Sequence, residues 1–225
     1  MESIDILKMI AAVIALMVAI IGHEIMHGWV AYKFGDTTAK NAGRLSINPI
    51  VHIDMVGSII VPVMTYFIPV LLGADNGFLF GWAKPVPVNQ SIVIHNGGYN
   101  AAMQVSLAGI AYNFSLAILS SVILLGMDQP TMASSMLEIF AYLLVIQFLI
   151  INVVLGVFNL LPIPAFDGAH FIIYLSLKLG YQNIARFFAK FESYGMIIVI
   201  IVLITPLKDY VLVLPVQMVL KLLLN

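Results

Sequence analysis

Ile20-Ile21-Gly22-His23-Glu24-Ile25-Met26-His27-Gly28-Trp29-Val30 decides the reading of this chain, because it sets a metal-binding pattern inside a helix otherwise made of hydrocarbon. Residues 6–21 are almost wholly aliphatic, and no helix breaker separates them from the pattern. Positions i and i+4 of a helix share a face, so His23 and His27 project together and can grip one ion. Glu24 follows the first histidine directly, where its carboxylate can reach a metal-bound water. Three ionisable groups in or near an apolar span are costly and usually functional.

Composition bounds the fold class. The 225 residues are 62% hydrophobic and only 9% charged, against about 25% charged in soluble domains. The chain therefore reads as an all-α polytopic membrane protein. A net charge of -1 offers no basic surface to nucleic acid. Cysteine is absent, so a metal site has to be built from His, Asp or Glu. Glu2 and Asp5 offset Lys8, and no small-residue cleavage site follows the first apolar run, so that helix is read as retained. No internal repeat or low-complexity stretch divides the chain. A single membrane domain is expected over residues 1–225, with a core at 6–180 and a C-terminal span and tail at 181–225.

Five apolar segments stand out, at residues 6–34, 55–72, 101–126, 134–161 and 194–207, with a shorter one at 169–179. Residues 210–224 read as an interfacial helix or the end of a last span, for five to six helical segments in all. His23 lies about 26 Å along the helix from Ile6, near the far edge of a hydrocarbon core about 30 Å thick. Lys33, Lys40 and Arg44 follow, and the positive-inside rule makes that edge cytoplasmic.

The fourth segment runs into Leu160-Leu161-Pro162-Ile163-Pro164-Ala165-Phe166-Asp167-Gly168. Asp167, on this proline-constrained loop, is the best third ligand for a catalytic zinc, which needs three protein ligands and one open position. It also reads as an N-cap for the next helix, a compatible role. If Asp167 meets the histidines, both ends of residues 35–100 are cytoplasmic and residues 55–72 must enter and return. A re-entrant hairpin is expected: half helix, turn, strand back. Lys84-Pro85-Val86-Pro87-Val88 disfavours helix, so short β-strands are expected near the active site. Gly81, Trp82, Lys84, Val86 and Val88 are candidates for an edge strand that receives an unwound substrate, or for a lid over the site.

Other polar groups carry two readings each. Asn113 and Asn159 serve either interhelical hydrogen bonding or the active site, by orienting substrate or donating to an oxyanion. Asn152 is read as structural. His170 reads as a candidate fourth ligand or, in preference, as a group that hydrogen-bonds a metal ligand from behind, since a fourth protein ligand would close the site. His52 and Asp54 are read as loop and cap residues before a second metal site. His95 reads as a loop residue, and Trp29, Tyr32 and Trp82 as interfacial aromatics.

Taken together, the motifs resemble the site-2 protease family of intramembrane zinc metalloproteases. The resemblance rests on His23-Glu24-Ile25-Met26-His27, Gly43-Arg44-Leu45-Ser46-Ile47-Asn48-Pro49, Gly81-Trp82-Ala83-Lys84-Pro85-Val86-Pro87-Val88-Asn89, Ala108-Gly109 with Asn113, and Asn159 through Gly168. It implies zinc, one ion per chain, held by His23, His27 and Asp167, with Glu24 as general base. It implies membrane-protein substrates cut in their transmembrane segments, often after another protease has trimmed them. The expected form is a compact prokaryotic member without extra domains, in the cell (inner) membrane, its site toward the cytoplasm. Ile110 and Ala165-Phe166 depart from the family pattern, which often has proline at the first position and Pro-Leu at the second. The alternative is a non-catalytic metal-binding or transport protein, or an inactive relative. Glu24 argues against it, since a transport site has no need of a carboxylate beside its first ligand.

Overall fold

The computed structural model describes residues 3–61, 64 and 81–225. Its elements in chain order are α1 (Ser3–Lys33), a short α2 (Thr38–Asn41), α3 (Gln90–Leu125), α4 (Met136–Leu160), α5 (Asp167–Lys178), α6 (Gln182–Phe191), α7 (Gly195–Ile204) and α8 (Leu214–Leu224). Among the described residues, four helical stretches are long and apolar enough to cross a membrane: Ile4–Lys33, Gln90–Leu125, Met136–Leu160 and Gln182–Ile204. They match four of the five apolar segments read from the sequence, and the chain is a membrane protein. Of the fifth, only its start is described, wound as a wide helical turn over Met55–Ile60. The expected re-entrant hairpin lies outside the described residues.

α1, α3 and α4 pack against one another as the core of the bundle. The reason is written along α1 at every fourth residue: Ala11, Ala15, Ala19, His23, His27, Ala31. The four alanines have no exposed surface. Small side chains let helix backbones approach where lipid supplies no hydrophobic drive between them. α3 answers with Ala101, Ala102, Ala108, Gly109 and Ala117, and α4 with Val153, Gly156 and Val157. Both histidines thus ride on the buried stripe. The opposite faces carry exposed Val13, Met17, Ile118 and Val122, suited to lipid.

Local signals fix the helix ends that shape the site. The Ser135 side chain and Glu138 form a reciprocal capping box that starts α4. Asn89 caps α3 by accepting from Ser91 and Ile92. Pro162 and Pro164 follow the end of α4 and hold residues 161–166 out of helix. Ile163 and Phe166 from this loop pack on Val199 of α7. Gly168 lets the loop fold tightly, because a Cβ there would collide with the Leu160 carbonyl oxygen. α5 leaves the loop to pack on α3 and α6. α8 lies along α4, where Val216 joins Leu149 and Val153, and Pro215 sits in its first turn where no N–H is needed.

The expected short strands are corrected: among the described residues no strand forms. Residues 81–89 run without helix, but four of their N–H groups go to separate partners. Trp82 donates to the Gly57 carbonyl (3.0 Å) and Lys84 to the His52 carbonyl (2.9 Å). Val86 donates to the Glu24 carboxylate (2.7 Å) and Asn89 to Asp36 (2.6 Å). Pro85 and Pro87 have no N–H to give. Side chains and turn carbonyls thus replace the neighbouring strand a ladder requires.

Candidate active site

His23, His27 and Asp167 bring one ligand atom each to a common point, and they are the one such group among the described residues. α1 presents both histidines on its buried face. Asp167 is the first residue of α5, and Phe166, not Asp167, occupies the cap position, with no side-chain cap bond. His23 Nε2 lies 3.0 Å from Asp167 Oδ2, His27 Nε2 lies 3.2 Å from it, and the two Nε2 atoms stand 3.0 Å apart.

The other ring nitrogens are spoken for. His23 Nδ1 lies 2.6 Å from Asn113 Oδ1, and His27 Nδ1 lies 2.7 Å from the Val105 carbonyl oxygen. Facing oxygens, both Nδ1 atoms carry the proton, which leaves the Nε2 lone pairs turned toward Asp167. Asp167 Oδ2 is buried and makes no hydrogen bond. With the Nδ1 atoms facing oxygens, two imidazole nitrogens and a carboxylate oxygen crowd within 3.0–3.2 Å of one another, a cluster of donors that a cation would bridge.

Such a set suits a divalent cation. A tetrahedral zinc with bonds of about 2.0–2.1 Å separates its ligands by about 3.3 Å, close to the spacing seen. Three protein ligands leave one position for water, the pattern of a catalytic rather than a structural site. Glu24, one residue past His23, has its Oε2 fixed by the Val86 N–H. Gly109 of α3 makes room for the His23 ring, since a Cβ there would lie 2.6 Å from three ring atoms.

Asn113 is fully buried and touches His23. Asn159 donates to the Leu155 carbonyl of its own helix (3.0 Å). Val86 reaches Glu24, while Trp82 and Lys84 are tied to the 52–57 loop. His170 is outside the converging group and lines a cavity of about 220 Å³ with Pro164, Tyr174, Phe188 and Glu192. His52 donates to the Ser46 carbonyl (2.8 Å), Asp54 accepts from the Gly57 N–H (2.7 Å), and His95 is exposed. Lys33 lies over Trp29 and Lys40 over Tyr32 at the end of α1.

Three residues mattered more than the sequence reading allowed. Asn152 accepts from Asn113 (2.9 Å) and so stands one bond behind His23. Buried Arg44 donates to the Lys84 carbonyl (2.6 Å), and fully buried Asp36 receives Asn89. Charge scarcity was the available signal: an acid or arginine in so apolar a chain needs a partner.

A polytopic helical bundle that holds two histidines, an aspartate and a neighbouring glutamate in this arrangement defines a membrane-bound metalloprotease. Residues 124–203 match the model of Peptidase family M50, a region that contains Asp167. YwhC of Bacillus subtilis, whose name assigns it provisionally to the zinc metalloproteases, is 37% identical over 205 residues, 89% of this chain and 83% of its own length. Rip2 of Mycolicibacterium smegmatis carries the same provisional name and is 29% identical over 187 residues, 82% of this chain and 62% of its own. No solved structure matches. The chain belongs to Peptidase family M50, the site-2 proteases.

Proposed function

We propose that the chain is an intramembrane zinc endopeptidase that hydrolyses peptide bonds within or beside the transmembrane segments of membrane-protein substrates. The observation that carries this reading is the convergence of Asp167 with His23 and His27 of an apolar span, with Glu24 next to the first histidine. One zinc ion per chain, held by the first three, would polarise the scissile carbonyl and acidify a water molecule. Val105 and Asn113 hold the two imidazole rings in register. Glu24, anchored through Oε2, is left with Oε1 to take a proton from the attacking water and deliver it to the departing amine nitrogen.

A transmembrane helix hides its peptide bonds in i→i−4 hydrogen bonds, so the substrate has to unwind and find new partners where water is scarce. Residues 81–88 suit that task. Trp82, Lys84 and Val86 spend their N–H groups on this chain, and alternate residues of an extended segment face opposite sides. The other edge, at Ala83, Pro85 and Pro87, then offers mainly carbonyls to substrate N–H groups. Lys33, Lys40 and Arg44 cluster beyond the histidines, which supports a site near the cytoplasmic face. Glu24→Gln tests the chemistry: it should keep zinc and lose cleavage of a reconstituted single-span substrate. Substantial residual turnover would remove Glu24 as the base.

A further inference from the structure

We propose that Asn152, acting through Asn113, sets the proton position on His23 and thereby makes that histidine able to bind a metal. The inference rests on the zinc site proposed above and concerns a residue on a different helix from every ligand.

The hydrogen bonds between these helices run in one direction. Asn152 is fully buried in α4, and its Nδ2 donates to the Phe148 carbonyl one turn back (2.8 Å). That bond turns Oδ1 of Asn152 toward α3. Asn113 is fully buried there, and its Nδ2 donates both to Asn152 Oδ1 (2.9 Å) and to the Ala19 carbonyl of α1 (3.3 Å). A primary amide has two N–H hydrogens, so both are spent. Only Oδ1 of Asn113 remains for His23 Nδ1, at 2.6 Å. Facing an oxygen that can only accept, Nδ1 has to hold the ring proton, and Nε2 keeps the lone pair that a metal needs.

A flipped Asn113 breaks every link. Its NH2 group would meet Nδ1, the proton would move to Nε2, and its oxygen would face the Ala19 and Asn152 oxygens. Two buried acceptor pairs would then lack a hydrogen. Asn152 supplies most of the cost of the flipped state, because without its oxygen at 2.9 Å only the longer 3.3 Å bond to the Ala19 carbonyl still tells the two ends of Asn113 apart. His27 needs no such device: its Nδ1 meets the backbone carbonyl of Val105, which cannot flip. Asn152 is therefore a positioning residue, two hydrogen bonds from the ligand nitrogen's ring.

The test uses the full chain purified in detergent. Zinc affinity is read by competition with a fluorescent chelator. Asn152→Leu should bind zinc about tenfold more weakly or worse, the usual cost of removing a group that orients a ligand. Asn152→Asp, which keeps an acceptor oxygen facing Asn113, should bind close to native. Native affinity in Asn152→Leu would reduce Asn152 to interhelical packing and overturn the proposal. A second measurement needs no change at Asn152: ¹⁵N-histidine NMR of the metal-free native protein at mildly alkaline pH, with His23 identified by loss of its signal in His23→Gln. The Nδ1-protonated form is expected, and the Nε2-protonated form would overturn the relay whether or not zinc binds. Zinc that fails to bind the native protein would count against the metal site alone.

Discussion

Replacing Gly109 by alanine adds one methyl group against His23 and should disable the site without unfolding the chain. The new Cβ would lie 2.6 Å from Cγ, Cδ2 and Cε1 of the imidazole, all atoms of one rigid ring. Carbon atoms in contact prefer about 3.5 Å or more, so the ring has to retreat by about 1 Å. Metal–ligand distances are held to within about 0.2 Å, so a shift of that size spoils the ligand set. A misplacement of about 1 Å in catalytic geometry costs on the order of 100-fold in rate. Overpacking costs about 1–3 kcal/mol of stability, which a helical bundle tolerates. Gly126→Ala is the matched control, because its Cβ would meet only the Ile123 carbonyl at 3.6 Å. Zinc retention and cleavage of a reconstituted substrate are read side by side in both variants. A Gly109→Ala protein that keeps zinc and cleaves at the native rate would refute the packing argument.

Two further outcomes follow from the same geometry. Asp167→Ala should lose most of its zinc on dialysis against a weak chelator, and unchanged retention would strike Asp167 from the ligand set. Helix-breaking residues placed in a substrate's span should speed its cleavage, and photocrosslinkers at Val86 or Val88 should capture residues flanking the cut. Crosslinks found only from α3 and α4 would make residues 81–88 a lid or scaffold.

The histidine pair was legible because helical periodicity is rigid: four residues apart on an apolar helix means one face. Asp167 was legible for a different reason, since prolines on either side of Ile163 leave a fixed loop where a carboxylate has few other uses. The direction of the asparagine chain was not legible. Spacing places Asn113 and Asn152 on buried faces, but which amide end points where depends on Phe148 and Ala19, residues without any sequence signature for the role. The partners of residues 81–89 were not legible for a related reason. The prolines there announce non-helical backbone, but the hydrogen-bond partners of Trp82, Lys84, Val86 and Asn89 are Gly57, His52, Glu24 and Asp36, scattered over earlier parts of the chain. The stripe of alanines at every fourth position of α1 was in plain view, and it names the buried face independently of the histidines.

The most direct test is the depth of the cut. The purified chain, reconstituted in liposomes with a panel of single-span membrane proteins, is given zinc, and the product termini are mapped by mass spectrometry. The account expects new termini inside or at the edge of the hydrophobic span, and none with Glu24→Gln. Cuts confined to soluble flanks, or the same products from the Glu24→Gln protein, would contradict it.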